Sequence, residues 1–350
     1  YSIIRKSPMP SYLFWCCSFI LWALASSFWA FSANAVFRDL LSVIQVLLIG
    51  FFLVIFINNE HKFEFVLKTI IFSGILLCVR LFIVTPTYEW GTERLGEAIS
   101  YNANTIGLCL SYASISAIYL ARKLGKKLYY LPVIPLTVFS LFTGSRKAFF
   151  LITMGISLLL FLTIKKKKRI ILALLFLPLF SLVMYELIMN NTVLYNVIGI
   201  RIEKALAIFS TGDIDMSTRT RLSMIGQAWE YFKQRPLTGY GLANFAEISP
   251  FGGYAHNNYF ELLSCTGLIG TFIYYSLPLK VLLNSIKRWL KGKREYAITI
   301  VFLTCIFILD WAMVSYSSEL SQILLAVSVS YYSLLTKRQI LEKQQTKSFQ

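Results

Sequence analysis

The chain alternates between long apolar runs and shorter polar segments. Each apolar run is close to the roughly 20 residues that a helix needs to cross a bilayer. The pattern predicts an all-α polytopic membrane protein with a single transmembrane domain over residues 1–350. About ten predicted spans lie at residues 11–32, 39–57, 65–85, 104–121, 128–143, 147–164, 170–189, 259–283, 297–314 and 318–335.

Composition agrees with a membrane protein, and the lipid bilayer is therefore an expected partner. Hydrophobic residues make up 57% of the chain, and the mean hydropathy is +0.63. The net charge of +17 could indicate nucleic-acid binding, but the cations lie in short clusters without any binding-domain signature. We therefore expect no nucleic-acid partner. The six cysteines lie in apolar segments without CxxC spacing, which predicts neither a disulfide framework nor a zinc site.

The basic residues predict the orientation of the chain. Lys and Arg cluster in alternate loops, at 122–127, 165–169 and 287–294. Because cytoplasmic loops carry the excess of basic residues, these loops and both termini are predicted to be cytoplasmic. The chain begins at Tyr1 without a methionine, so we expect upstream sequence to be missing or processed. The other loops then face outward from the cytoplasmic (inner) membrane.

Two of the outward loops are long, at 86–103 and 190–258, and the second joins the seventh and eighth spans. Loops of this length are usually functional or disordered. Within it, residues 217–233 carry apolar side chains at helical spacing after Ser217, a suitable N-cap. These apolar residues are Leu222, Ile225, Trp229 and Phe232. The helix could lie at the membrane surface, or it could pack on the bundle.

Several arginines share the predicted outer side. Arg80 lies near the outer end of the third span, Arg94 in the 86–103 loop and Arg146 at a turn. Arg219 and Arg221 lie in the long loop. An arginine fork matches phosphate oxygens, so these residues are candidates for binding a lipid phosphate or diphosphate. Arg80 could instead extend to the interface or pair with a glutamate.

The chain contains two histidines, and His256 lies in the long outer loop among glycines that permit tight turns. It is a candidate for moving a proton beside a bound anion, although a lone loop histidine is more often solvated. His61 lies in an inward loop and is expected to be an ordinary interfacial residue. Asp213 and Asp215 form a DxD pattern without any α/β context, so we expect no metal there.

The order of motifs in this region resembles a known family. Arg221 is followed by the segment 236–241, by Asn244 and by His256, before an apolar helix with two glycines. Upstream segments at 143–146 and 94–96 resemble motifs of the same family. The full set reads Pro-Leu-Thr-Gly-Tyr-Gly at 236–241, Asn-Phe at 244–245, His-Asn-Asn-Tyr at 256–259, Gly267 and Gly270, Thr-Gly-Ser-Arg at 143–146, Arg-Leu-Gly at 94–96, Asn-Ala-Asn at 102–104 and Gly107.

Over roughly 90–285 the chain resembles the O-antigen ligase and polysaccharide polymerase superfamily of membrane glycosyltransferases. Family members often have more than ten spans. Two departures stand out. Ala243 occupies a position where the family frequently has glycine, and Arg219 beside Arg221 leaves the matching arginine ambiguous, although the distance to Pro236 favours Arg221.

The resemblance implies transfer of an O-antigen or capsular glycan from an undecaprenyl-diphosphate carrier to a sugar hydroxyl at the outer membrane face. It implies an inverting, metal-independent reaction without a cofactor, and other polysaccharide-export and chain-length proteins as candidate partners. His256 would be the catalytic base. The residues assigned to diphosphate and substrate binding are Arg146, Arg221, Arg219, Arg94, Arg80, Asn257 and Tyr240.

Three functions remain open on the sequence. A polymerase would join repeat units on the carrier, and is favoured because no separate acceptor-docking domain is evident. A ligase would move the glycan to a lipid core or a protein with the same residues. A transporter or lipid-linked glycan flippase would share the arginines and the apolar composition, but internal repeats and paired broken helices typical of such folds are not evident in the sequence.

Overall fold

The computed structural model describes residues 8–86, 89–90, 94–96, 101–164, 179, 182–183, 185–210 and 216–348. These residues are helical with connecting turns and contain no β-strand, which confirms the predicted all-α class. The main helices are α1 (Pro8–Ala25), α2 (Ala33–Phe56), α3 (Glu60–Val84), α4 (Ala103–Leu124), α5 (Val133–Phe142), α6 (Arg146–Thr163), α7 (Ile200–Ser210), α8 (Met216–Gln234), α9 (Phe245–Ile248), α10 (Asn258–Leu290), α11 (Ala297–Leu309) and α12 (Glu319–Ser348).

Among the residues that the structure describes, six segments are long and apolar enough to cross a membrane, as expected of a multi-pass membrane protein. They are Ser11–Phe28, Ala33–Phe56, Glu60–Val84, Ala103–Leu124, Arg146–Thr163 and Asn258–Leu290. The count of ten is therefore not confirmed. The predicted span at 128–143 is a 3₁₀ turn followed by the short helix α5, and the one at 297–314 is the 13-residue α11. Most of the predicted span at 170–189 lies outside the described residues.

The chain divides into two compact units, and the division falls inside α3. One unit comprises 1–63 and 216–350, and the other comprises 64–215. The predicted outer loop 190–258 is accordingly shared between them. The expectation of a single transmembrane domain stays a prediction.

In the unit formed by 1–63 and 216–350, α1 packs on α2 and α10, and α12 packs on α2 and α11. Aromatic side chains fix these contacts. The Trp15 indole on α1 donates to the Ile273 and Tyr274 carbonyls of α10, both at 2.9 Å. The Phe63 ring stacks on Tyr331 of α12 with their centroids 3.8 Å apart. Buried rings of this size contribute strongly to core packing.

In the unit 64–215, α4 is buried on nearly all sides and packs on α5 and α6. Small residues allow this close approach, as is common between membrane helices. A side chain at Gly107 would collide with Thr143 and Ala148. The buried Ser111 hydroxyl bonds to the Gly107 carbonyl at 2.7 Å, so a polar group on this helix is satisfied within the core.

Candidate active site

The helix α10 is broken at Gly267, one third of the way along its length, and the loop 236–241 packs against the break. Gly267 has φ 66° and ψ −172°, a backbone conformation that is essentially restricted to glycine. A side chain at this glycine would collide with the backbone of Leu237 and Thr238. The loop 236–241 therefore lies directly against the helix backbone at the break.

Hydrogen bonds between these two segments satisfy the backbone groups that the break releases. The Leu268 amide donates to the Pro236 carbonyl at 2.8 Å. In the other direction, the Tyr240 and Gly241 amides donate to the carbonyls of Ser264 and Cys265, at 3.0 and 2.8 Å. Unpaired backbone groups are costly away from water, so this pairing locks the loop onto α10.

The motif histidine lies at the start of α10 in an uncommon backbone conformation. His256 has φ +54°, and the one other non-glycine residue with positive φ among those described is Ala243. The imidazole is partly exposed, and its ring centroid lies 4.3 Å from that of the exposed Tyr254. Positive φ is uncommon outside glycine, and strained residues of this kind cluster at functional sites.

Buried residues on both sides hold this backbone in place. The Ala255 amide donates to Oε2 of Glu261 at 2.6 Å, and the Glu261 side chain is 1% exposed. The Cys265 thiol lies 3.6 Å from the other carboxylate oxygen. Asn257 is fully buried and caps α10, because its Oδ1 accepts the amides of Tyr259 and Phe260. The histidine thus lies between two fixed neighbours.

The next residue anchors the start of α10 to the segment after α11. The Asn258 amide donates to the Asp310 carbonyl at 2.7 Å, and its side-chain oxygen accepts the amides of Ser315 and Tyr316. The Asp310 carboxylate also accepts the Tyr275 hydroxyl at 2.6 Å. These buried bonds restrict movement of the helix end that carries the histidine.

The two arginines of the long loop lie on different faces of α8. Met224 and Ala228 are the buried residues of this helix, in a core cluster with Ala255 and Cys265. At 100° per residue, Arg221 lies about 20° from Ala228 around the helix axis, whereas Arg219 lies on the opposite face. Arg221 is partly buried and Arg219 is exposed. Neither guanidinium bonds to another residue that the structure describes.

The helix α8 overlaps the predicted amphipathic helix at 217–233, but its packing face differs from the predicted one. It begins at Met216, so Ser217 lies inside the helix and is not its N-cap. Leu222 and Trp229 remain 52% and 43% exposed, while the Met224 and Ala228 face packs toward α10. The predicted alternatives of packing on the protein and lying on a membrane are therefore compatible, because they use different faces.

Tyr240 lies in the 236–241 loop and is engaged by its neighbours. Its hydroxyl donates to Gln234 Oε1 at 2.5 Å, and the Arg235 guanidinium lies 4.5 Å from its ring centroid. Arg235 also donates to the Trp29 carbonyl at 3.1 Å. The tyrosine is partly exposed.

In the unit 64–215, two of the predicted arginines meet at one turn. Arg94 donates from Nε to the Thr143 carbonyl at 2.9 Å and from Nη2 to Asn104 at 3.1 Å. Arg146, the first residue of α6, follows the N-cap Ser145 and is partly exposed. Arg80 is exposed on α3 and makes no ion pair with the part of the chain that the structure describes.

The DxD residues Asp213 and Asp215 lie outside the described residues. Within the described ranges, no group of three or more His, Cys, Asp or Glu side chains is placed to hold a metal ion.

Comparison with known families matches the part of the chain that contains this loop and helix break. Residues 131–275 match a family model described as O-antigen ligase. The resemblance to the O-antigen ligase and polymerase superfamily is confirmed. The match covers 145 of 350 residues and supports, at the level of the family, a membrane glycosyltransferase or ligase. No curated protein matches the chain.

The structure shows that one departure from the O-antigen ligase pattern, alanine at position 243, has an energetic cost. Ala243 has φ +58°, in the left-handed region where a side chain costs roughly 1–2 kcal/mol. Glycine, which the family frequently has there, would avoid this cost. The neighbouring Asn244 is fully buried, and its Oδ1 accepts a hydrogen bond from the Ser32 backbone amide at 2.6 Å, so the strained turn is held next to Ala243.

Sequence reasoning missed two features of the O-antigen ligase region. Glu261 is a single acid at the start of the predicted span at 259–283, and nothing in its spacing indicates that it is buried against the Ala255 amide. The break at Gly267 lies inside an apolar run that predicts a continuous helix. The pair of threonine–glycine steps, at 238–239 and 266–267, was the available signal, because both glycines have positive φ where the two segments touch.

Proposed function

We propose that this protein is a polysaccharide polymerase that transfers a glycan from an undecaprenyl-diphosphate donor to a sugar hydroxyl at the outer membrane face. His256 is the general base, and arginine side chains bind the diphosphate. The family match is the starting point. The observation that supports the site most directly is the strained backbone of His256 between the fixed residues Ala255 and Asn257.

The proposed reaction is a single displacement. His256 takes the proton from the acceptor hydroxyl while the hydroxyl oxygen attacks the anomeric carbon, and the bond to the lipid diphosphate breaks. One displacement inverts the anomeric carbon. A positioned base of this kind typically contributes 10²–10⁴-fold to the rate. Glu261 acts by holding the Ala255 amide, so its role is to position the histidine.

Negative charge develops on the diphosphate as the glycosidic bond breaks, and cations placed beforehand stabilise it. Arg221 is the preferred loop arginine, because it lies on the α8 face that leads to the core cluster of Ala255. The Arg221 guanidinium forms no hydrogen bond with the described residues, whereas Arg94 already donates hydrogen bonds to Thr143 and Asn104. In the unit 64–215, Arg146 is the proposed phosphate-binding side chain, and Arg94 orients the turn before it.

The remaining predicted residues take supporting roles within this proposal. Asn257 is buried and capping, so we assign it to positioning of the loop. Tyr240 can offer its ring to a sugar. Arg219 and Arg80 are exposed and are kept as weaker candidates for attracting the anionic donor. The donor and the bilayer are the partners that this reaction requires.

The test is to incubate the purified protein in detergent with lipid-linked repeat units. Longer lipid-linked chains would support a polymerase, whereas transfer to an added lipid core or protein would support the ligase alternative. An absence of any glycan transfer would favour a transporter or flippase.

His256→Ala should lower turnover by roughly 10²–10⁴-fold without weakening donor binding. His61→Ala is the matched control and should keep the wild-type rate. A His256→Ala enzyme with more than about a tenth of that rate would remove the base assignment.

A further inference from the structure

A basic cavity of about 430 Å³ lies between the ends of α10 and α12, away from the candidate active site. Asn284, Lys287 and Arg288 line it from α10, Lys291 and Lys293 from the following turn, and Gln339 and Glu342 from α12. Its volume is within the range of small-molecule sites, which is roughly 300–1,000 Å³.

The charge of this cavity is not balanced by its own residues. Four of its side chains are cationic, and its one acid, Glu342, lies 3.4 Å from Nε of Arg338. Lys287 and Lys291 are four residues apart on α10, so they are neighbours, and like charges at this spacing repel. The three lysines form no ion pair with the residues that the structure describes. A negative ligand would relieve this repulsion.

The cavity also contains a hydrogen-bond donor without an acceptor. Arg288 donates to Oε1 of Gln339 at 2.5 Å, which fixes the orientation of the Gln339 amide. Its Nε2 is buried and has no hydrogen-bond partner among the described residues. The Arg288 guanidinium is held over the rings of Tyr296 and Tyr332, at 5.6 and 5.8 Å from their centroids. Helix-dipole stabilisation explains basic residues at the end of α10, but it does not explain an unpaired amide donor.

An apolar stripe leads to the cavity along α10. Leu279, Leu283 and Leu290 are 44%, 48% and 70% exposed. Leu283, Lys287 and Leu290 are spaced by four and three residues, so they share one face of the helix. An acyl chain can lie along these leucines while its phosphate reaches the lysines. A free phosphate would use the cations but not the stripe.

From these observations we infer that the cavity binds the phosphate head group of an anionic phospholipid whose acyl chain lies along α10. Basic pockets between membrane helices are suited to such head groups. This inference does not depend on the glycan-transfer function proposed above.

The test measures lipid binding by the full chain purified in a neutral detergent. Phosphatidylglycerol and phosphatidylcholine with identical acyl chains are titrated, with binding followed by native mass spectrometry and by the thermal unfolding midpoint. The wild type should bind phosphatidylglycerol at least tenfold more tightly, and binding should weaken as salt is raised. Equal affinity for the two lipids would overturn the inference.

Two variants locate the binding. Lys287→Gln with Lys291→Gln should lower phosphatidylglycerol affinity by tenfold or more, whereas Lys126→Gln with Lys127→Gln, which removes the same charge from another loop, should leave it unchanged. Gln339→Glu keeps the acceptor for Arg288 and replaces the unpaired donor with a negative oxygen, so it should also weaken binding. Equal losses in the control and the cavity variants would contradict a local site. Displacement of the lipid by inorganic pyrophosphate at equal concentration would assign the cavity to a free anion instead.

Discussion

The contact between the 236–241 loop and the break in α10 predicts that Gly267→Ala is much more damaging than alanine at another glycine with positive φ. Gly252 is the matched control. Its φ is +61°, close to the +66° of Gly267, and it lies 15 residues before Gly267 in the segment that precedes α10. An added Cβ would meet nothing within 4 Å at Gly252, whereas at Gly267 it would lie 2.5 Å from the Thr238 amide nitrogen and closer still to the Leu237 carbonyl.

The structure determines the loss of stability expected for each variant. Alanine at Gly252 carries only the cost of a left-handed backbone, roughly 1–2 kcal/mol. At Gly267 the backbone region is essentially restricted to glycine, which costs roughly 1–3 kcal/mol, and overpacking adds roughly 1–3 kcal/mol more. The neighbouring atoms belong to the backbone and cannot move aside as a side chain would. We therefore expect Gly267→Ala to lose at least twice the stability that Gly252→Ala loses.

The measurement is the thermal unfolding midpoint of the wild type and both variants, in one detergent at one scan rate. Glycan transfer is measured on the same samples. Gly267→Ala should lower the midpoint further and should also reduce transfer, because it displaces the loop that precedes His256. Equal losses of stability in the two variants would refute the close packing of residues 236–241 against α10.

Arg221→Lys should reduce transfer markedly because lysine lacks the bidentate fork, while Arg219→Lys on the opposite helix face should have little effect; rates at equal protein level decide between them. Glu261→Leu leaves a buried backbone N–H unpaired, at a cost of about 1–3 kcal/mol, and should lower kcat more than it changes KM. Glu261→Gln keeps an acceptor and should restore most of the rate, so equal loss in both variants would contradict positioning through that bond. A cysteine replacing Gly253 should react with an impermeant thiol reagent in intact cells, and one replacing Lys126 should not; the reverse pattern would invert the orientation.

The sequence by itself determined the class of the protein and the resemblance of its central region to the O-antigen ligase and polymerase superfamily. Apolar runs of membrane-spanning length are a property of composition along the chain, so they predict an all-α membrane protein without knowledge of packing. The motif order from Arg221 to His256 carried the family resemblance, because it depends on residue identity and spacing. The count of ten spans is not confirmed. The α5 and α11 segments are apolar enough but their helices are short.

Tertiary structure decided where the candidate residues lie and which of them are buried. By sequence, only the distance to Pro236 favours Arg221 over Arg219, whereas the packing of Met224 and Ala228 places the two arginines on different faces of α8. By sequence Asn257 is a polar residue of the motif, but in the structure its side-chain oxygen caps α10.

The same physical reason applies to the features that were missed. Burial of Glu261 and the break at Gly267 both depend on contacts with other segments, the Ala255 amide in one case and the Leu237 and Thr238 backbone in the other. Hydropathy and local spacing describe one segment at a time. They carry no information about a partner segment that supplies an acceptor or fills a gap, so the folded chain was needed to show that Glu261 is buried and that residues 237–238 fill the break at Gly267.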